Sequence, residues 1–181
     1  QLKSLRLNWL NLTGSVPSFL GNLKNLTFLD LSFNKLTGSI PKELGSLPNL
    51  LALHLDRNNL TGSIPSSLGN FPGNPSPDIY LSHNNLTGTI PTSFNNLNLT
   101  TIDLSRNKLE GDASVLFGPN KTVQIVDLDR NQLEFNFSNV VFPSSLTSLD
   151  IDHNKIFGSL PPQLTELNLQ FLNVSYNRLC G

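Results

Sequence analysis

The chain has 181 residues, enough to bury a substantial core either as one ordinary domain or as an array of small repeats. Charged residues make up only 14% of it, the formal net charge is −1 and no Lys/Arg cluster occurs, which excludes the basic surface of a nucleic-acid binder. No stretch approaches the roughly 18 consecutive apolar residues of a membrane span, and Gln1 to Leu7 do not read as a signal peptide, so a secretory signal would lie upstream.

The chain opens on LRLNWLNLTG, and the pattern returns as LDLSFNKLTG, LHLDRNNLTG, IYLSHNNLTG, IDLSRNKLEG, VDLDRNQLEF, LDIDHNKIFG and LNVSYNRLCG. From the second copy on, the asparagines Asn34, Asn58, Asn84, Asn107, Asn131, Asn154 and Asn177 stand 24, 26, 23, 24, 23 and 23 residues apart, the period of leucine-rich repeats. Each Leu-x-Leu predicts a short strand with its apolar residues inward, and stacking the strands makes a parallel sheet whose other residues line a concave face. The Asn turns into the core, where its amide satisfies backbone groups that are costly to bury unpaired. The TGSIP and TGTIP segments predict a second short strand, bent at Gly and closed by Pro. PSFLGNLKN, PKELGSLPN and PSSLGNFPG supply the convex turns.

Two copies depart from this scheme. NFPGNPSPD, Asn70 to Asp78, carries three Pro and one Gly and predicts a surface bulge, not a domain boundary. In LDRNQLEFNFSNVVFP, Phe135 takes the Gly position and the usual IP is missing, so the second sheet is expected to break there. The reading is an α/β leucine-rich-repeat solenoid over residues 1–181, a single array of about eight repeats. It forms a curved right-handed superhelix with a concave parallel β-sheet, a second short sheet after it, and convex 3-10 or short helical turns.

Position in the strand sorts the outward residues into columns. One holds Arg6, Asp30, His54, Tyr80, Asp103, Asp127, Asp150 and Asn173; the next includes Asp56, Asp129 and Asp152; the one after runs Trp9, Phe33, Arg57, His83, Arg106, Arg130, His153 and Tyr176. Ahead of them lies a column with Phe28, Asp78 and Phe171. Eight of the nine Asp and four of the five Arg fall in these columns and none of the seven Lys does, so the face carries −4 with His neutral. A basic or mixed-charge protein surface would be steered to it, and the aromatic residues supply the large contact areas that interface hot spots favour. Asp30 and Asp103 belong to the common Asp-Leu-Ser repeat. The departures from it, Asp56, Asp129 and Asp152 for Ser and His54 and Tyr80 for Asp, carry more information. The Arg edge could alternatively serve only to offset repulsion between stacked carboxylates about 4.8 Å apart.

Other chemistries fit less well. Asp127, Asp129, Asp150 and Asp152 offer carboxylate spacings that glycoside hydrolysis uses, but an open, solvated face is expected to do little to raise one acid's pKa, so the chain reads as a non-enzyme. His54, His83 and His153 lie on different coils without metal-ligand spacing; no metal and no cofactor is expected, with calcium between Asp129 and Asp152 as the one alternative. Thr13, Thr37, Thr61 and Thr87, then Ser15, Ser39, Ser63 and Thr89, form a double row of hydroxyls that could order water, an ice-binding alternative. Eight of the 24 Asn residues are glycosylation acceptors: Asn11, Asn25, Asn59, Asn85, Asn98, Asn120, Asn136 and Asn173. This density favours the secretory route, although an Asn-, Ser- and Thr-rich chain also makes such triplets by chance. Glycans at Asn11, Asn59 and Asn85 would obstruct the hydroxyl rows. Cys180 is either a free thiol or, the preferred reading, half of a disulfide whose partner is absent.

The pattern LxxLxxLxLxxNxLTGxIPxxLGxLxx is that of plant extracellular leucine-rich repeats. Within that class, DLSRNKLEGDASVLFGPNKT, FPSSLTSLDIDHNKI and LQFLNVSYNRLCG resemble polygalacturonase-inhibiting proteins over nearly the whole chain. A carrot-type antifreeze protein looks like a descendant of the same stock, and receptor-kinase ectodomains share the general pattern, which makes a receptor-like ligand-binding ectodomain fragment a third reading. The resemblance implies a secreted, cell-wall glycoprotein of plant defence that binds a fungal or other microbial endopolygalacturonase, with pectin as a second candidate partner. Contacts are expected from Asp56, Arg57, Asp78, Tyr80, His83, Asp103, Arg106, Asp127, Asp129, Arg130, Asp150, Asp152 and His153. Family members carry cysteine-rich caps at both ends; this sequence has neither, which reads as a fragment or a deliberately truncated chain.

Overall fold

A computed structural model describes residues 2–180; the two end residues of the expected array, Gln1 and Gly181, lie outside the described residues. Eight three-residue strands, Ser4–Arg6, Phe28–Asp30, Ala52–His54, Asp78–Tyr80, Thr101–Asp103, Ile125–Asp127, Ser148–Asp150 and Phe171–Asn173, make one parallel sheet in chain order. Equivalent residues stand directly opposite one another: Asp103 pairs with Asp127, and Asp127 with Asp150. The columns read from the sequence are therefore physical columns.

The inward residues explain why so short a strand is stable. Leu29, Leu53, Ile79, Ile102, Val126 and Leu149 are each 0% exposed and stack through the middle of the array. Each contributes about 2 kcal/mol of burial. A strand of three residues gains this only because neighbours cover it on both sides, the nearest-neighbour logic of a solenoid.

Below each strand the ladder asparagine turns inward. Asn107 Nδ2 donates to Leu104 O at 3.1 Å in its own coil and to Leu81 O at 3.0 Å in the coil before, while its Oδ1 accepts the Leu86 N–H at 3.0 Å. Asn58, Asn84, Asn131 and Asn154 repeat the arrangement, each at or below 9% exposure. Asn34 and Asn177 continue it at either end.

The turn that delivers the Asn is made by the residue before it. Phe33, Arg57, His83, Arg106, Arg130, His153 and Tyr176 precede a ladder Asn, Trp9 precedes Leu10 at the same place in the first coil, and all eight have φ between 47° and 60°. This left-handed conformation costs a non-glycine residue roughly 1 kcal/mol or more, so the eight bulky side chains are held there by the packing and hydrogen bonds around them.

The second sheet follows at Thr13–Ser15, Lys35–Gly38, Asn59–Ser63, Asn85–Thr89, Lys108–Gly111 and Gln132–Leu133. It bends at glycines with φ from +75° to +85°, among them Gly14, Gly88 and Gly111. Pro17, Pro41, Pro65, Pro91 and Pro161 then end the extended piece and open a 3-10 turn on the convex side. Gly45 lies so close to the next turn that a Cβ there would sit 2.3 Å from Ser67 O.

The expected break occurs where it was read. Phe135, at 4% exposure, fills the interior with Phe137 and Phe142 instead of adopting the left-handed bend that glycine supplies, and the second sheet ends at Leu133. Backbone bonds from Lys155 N to Leu133 O and from Phe157 N to Phe135 O still join the next coil, which forms a separate pair, Phe157–Gly158 with Arg178–Leu179. The 70–77 segment is the expected bulge, with a cis Asn74–Pro75 bond.

Replacing Asn107 with Ala leaves the buried Leu86 N–H without its partner and takes one of two donors from each of the Leu81, Leu104 and Ser105 carbonyls, and the unfolding free energy should fall by about 2 kcal/mol or more. Chemical denaturation checks this against Asn168→Ala at an exposed site, where the change should stay within about 0.5 kcal/mol.

Candidate binding face

The concave face has two chemically different halves. Toward the N-terminus the columns are aromatic and cationic. Trp9 stacks on Phe33 at 3.9 Å, and the Arg57 guanidinium lies 4.9 Å from the Phe33 ring centre. Two columns away His54 stacks on Tyr80 at 4.2 Å, and Arg6 of that column lies over Phe28 of the column ahead at 4.7 Å. Stacking turns ring faces toward neighbouring coils, so this half is a ladder of mutually supporting rings.

Toward the C-terminus lie Asp103, Asp127, Asp129, Asp150 and Asp152. In the common Asp-Leu-Ser repeat the serine neutralises part of the problem: the Ser105 hydroxyl donates to Asp103 Oδ1 at 2.7 Å and its N–H at 3.0 Å. At the next two coils Asp129 and Asp152 replace that serine. Asp127 therefore keeps only the backbone donor Asp129 N at 3.2 Å, Asp150 keeps Asp152 N at 3.1 Å and a long contact from Asn173 Nδ2 at 3.5 Å, and both gain a like charge.

The consequence is a displaced titration. Burial first, then the charge of Asp103, with smaller contributions from Asp129 and Asp150, push Asp127 up to about 7. Asp150 is raised as well, by burial and then by Asp152 and Asp129. The expectation that an open face would leave these acids unperturbed is corrected here: the face is concave enough to desolvate its middle column, and the neighbouring carboxylates add to the effect.

The Arg edge meets these acids. Asp129, 9% exposed, is approached by Arg130 Nε at 3.3 Å and Arg106 Nε at 3.7 Å. Asp152 Oδ2 lies 2.9 Å from His153 Nδ1, and Asp56 lies 3.6 Å from His54 Nδ1. His83 sits between Arg57 and Arg106; burial and then those two cations lower its pKa and favour the neutral ring. Asp56 Oδ1, Asp152 Oδ1 and His83 Nδ1 are buried atoms with no hydrogen-bond partner among the described residues.

Not every expected contact residue is equally available. Asp78 Oδ1 accepts the Thr100 and Thr101 N–H groups at 2.9 and 2.8 Å, so its carboxylate ties the next strand in place. The Tyr80 hydroxyl is hydrogen-bonded to Thr101, although burial still raises its pKa. Arg57, Arg106 and Arg130 are exposed, whereas Asp103, Asp127, Asp150, Asp152 and His153 are half-buried. The left-handed geometry of the Arg/His edge was not visible in the residue types there; the repeated x-Asn step was its only signal.

The hydroxyl rows take an unexpected course. Thr13, Ser15, Thr37, Ser39, Thr61, Ser63, Thr87 and Thr89 are all exposed, but the second sheet is sheared. Ser15 stands opposite Thr37 and Thr37 opposite Asn59; Ser63 stands opposite Thr87 and Thr87 opposite Lys108. In hydrogen-bond register the rows are pairs of hydroxyls ended by an Asn or a Lys. Of the sequon asparagines, Asn11, Asn25, Asn59, Asn98 and Asn120 are exposed and Asn85, Asn136 and Asn173 half-buried; Asn173 lies in the acidic half beside Asp150. Cys180 is exposed, its Sγ 3.9 Å from Ser159 Oγ.

Stacked short strands in one parallel sheet, a buried asparagine ladder and 3-10 turns on the convex side define a leucine-rich-repeat protein. The chain belongs to that family: the Leucine Rich Repeat model matches residues 1–23, 25–47, 49–71, 78–97, 98–119 and 145–167. Among the unmatched stretches are 72–77, with the bulge, and 120–144, with the broken second sheet. A polygalacturonase inhibitor of Pyrus communis is 74% identical over 97 residues, 54% of this chain and 29% of the pear protein. A plant ice-binding protein of known crystal structure superposes with a TM-score of 0.96 at 56% identity, over 99% of this chain and 58% of that one. The ectodomain of the Arabidopsis thaliana receptor kinase GASSHO1/SCHENGEN3 superposes at 0.82 and 32% identity, over 98% of this chain and 22% of that one. The chain thus spans less than a third of the pear relative's length. The resemblance read from DLSRNKLEG and its neighbours is borne out.

Because its folded pKa lies above the ordinary carboxylate value, Asp127 binds a proton in the folded chain that it has lost in the unfolded one between about pH 4 and 7. Stability should fall as pH rises through that window. Asp127→Asn should be more stable than the parent above pH 8, by about 1–2 kcal/mol after discounting for solvent screening, and equal to it near pH 4, as thermal unfolding at each pH would show.

Proposed function

We propose that this chain is a non-catalytic binding module that inhibits a microbial, in the first place fungal, endopolygalacturonase outside the plant cell, in the wall. The observation that carries this is the 74% identity to the pear polygalacturonase inhibitor over more than half of the chain. The concave face docks beside or over the enzyme's cleft and blocks access of pectin, with no covalent step and no cofactor.

The two halves of the face divide the work. Asp103, Asp127, Asp129, Asp150 and Asp152 steer and hold a basic rim, while the ring ladder around Trp9, Phe33, His54 and Tyr80 supplies desolvated contact area. Arg106 and Arg130 fix Asp129 and limit the repulsion inside the cluster. Pectin itself is a second candidate partner.

A second reading, ice binding, is favoured by the plant ice-binding protein, which matches nearly this whole chain at 56% identity. It would use the outer face of the second sheet, where the shear breaks the hydroxyl rows into pairs. That weakens the match to a regular lattice, so the inhibitor reading stands first.

Reducing-sugar release from polygalacturonic acid by a panel of fungal endopolygalacturonases, with the protein in several-fold excess, tests the first reading. Asp150→Lys should weaken inhibition about tenfold and flatten its salt dependence; unchanged inhibition and salt slope in that variant would remove the concave-face model. Charge reversal at buried Asp129 would confound folding with binding, so Asp129→Asn is the matching variant there. Under the second reading, Thr61→Lys should abolish inhibition of ice recrystallisation and leave the enzyme assay untouched.

A further inference from the structure

The bulge at 70–77 opens a groove of about 530 Å³ against the 117–121 segment, on the edge of the solenoid ahead of the concave strands. Asn74, Asn95, Asn96, Asn98 and Asn120 line it beside Phe71 and Phe117. Carboxamides offer a donor and an acceptor side by side, which suits sugar hydroxyl and acetamido groups, while Phe71 and Phe117 belong to the buried core beneath. An anion would find little here: the Lys121 ammonium already donates to the carbonyls of Phe94, Asn95 and Leu97.

Two of the lining residues are themselves acceptor asparagines, in Asn98-Leu99-Thr100 and Asn120-Lys121-Thr122. Asn98 is the one tied to the bulge. Its N–H donates to Ser76 Oγ at 3.0 Å, and its carbonyl accepts the Ser76 N–H at 3.1 Å. Its side-chain oxygen shares the single proton of the Thr122 hydroxyl, 3.0 Å away, with Leu99 O, also at 3.0 Å. Nδ2, the atom that carries an N-glycan, is left without a partner among the described residues, on an exposed side chain.

We propose that this groove seats an N-glycan on Asn98, whose innermost N-acetylglucosamine units lie between the bulge and the 117–121 segment and hold the bulge against the array. The inference rests on the extracellular route in the proposed function, not on the identity of the target enzyme. In the modification Nδ2 forms a bond to C1 of the first sugar as the C1–O bond to a polyprenyl-pyrophosphate carrier breaks. The carrier leaves as the pyrophosphate, and the proton lost from Nδ2 passes to solvent.

The chain secreted from plant cells would be peptide-mapped after enzymatic release of N-glycans in heavy-oxygen water, with labelled aspartate expected at position 98. Thr100→Ala abolishes the acceptor triplet while keeping the Asn98 contacts to Ser76 and Thr122; Thr100→Ser keeps the triplet. Hydrogen exchange at the amides of Gly73, Asn74 and Ser76 should quicken about tenfold in Thr100→Ala and return to the parent rate in Thr100→Ser. An unmodified Asn98, or equal exchange in Thr100→Ala and the parent, would overturn the proposal. The polygalacturonase assay on the same samples separates the two ideas. Inhibition with a bare Asn98 sinks the glycan alone, and a glycosylated Asn98 without inhibition sinks the inhibitor reading alone.

Discussion

Everything on the concave face depends on the buried asparagine amide that closes each coil. A strand of three residues leaves its turn with carbonyl and N–H groups facing the interior, where water cannot reach them. One carboxamide answers several at once, in its own coil and in the one before, as Asn58 does for Leu55 O, Leu31 O and the Leu36 N–H. Each such bond adds only about 1 kcal/mol net, but each buried group left unpaired would cost more than that, so the ladder acts mainly by removing penalties. Because every Asn joins two coils, it also fixes how one coil sits on the next. The pitch of the array and the register of its surface columns have the same origin.

That register makes the electrostatics collective. Residues that recur at one position in the repeat become close neighbours, so a single change of residue type is felt by three coils. Serine at the position after Asp is a hydrogen-bond donor to it; aspartate at the same position is a competitor. Asp129 and Asp152 take the serine donor out of a self-satisfied column, and Asp127 within it has a raised pKa, set first by burial and then by Asp103. Arg106 and Arg130 compensate at Asp129 and leave the middle column uncompensated. Of the two roles that the Arg edge offered when read from sequence, the geometry shows compensation at Asp129, and the recognition proposed above would draw on the same side chains.

Much of the fold was legible because the repeat repeats: strand positions, the inward Asn, the proline that ends the second strand and the break at Phe135 all follow from residue types whose backbone needs are narrow. The bulge at 70–77 announced itself through three prolines and a glycine. The face was legible as columns and less so as chemistry. Asp78 looked like a contact residue, and its commitment to the Thr100 and Thr101 amides depends on where the next strand begins. The shear of the second sheet was likewise hidden: equal spacing of Thr37 and Thr61 in the sequence does not reveal which strand residue each one faces. The desolvation of Asp127 depends on the curvature of the array, which no local pattern encodes.

The left-handed column has a consequence for how such a protein can change. At Arg57, Arg106, Arg130 and His153 the backbone asks for glycine, and the side chain that stands there is the one a partner would meet. Relieving the conformational strain and keeping the contact are opposed at every coil. A lineage selected only for a more rugged scaffold would drift toward glycine along this edge and grow smooth. One under pressure to follow a changing target can replace these side chains one at a time without touching the core. The same eight positions thus form a dial between durability and discrimination.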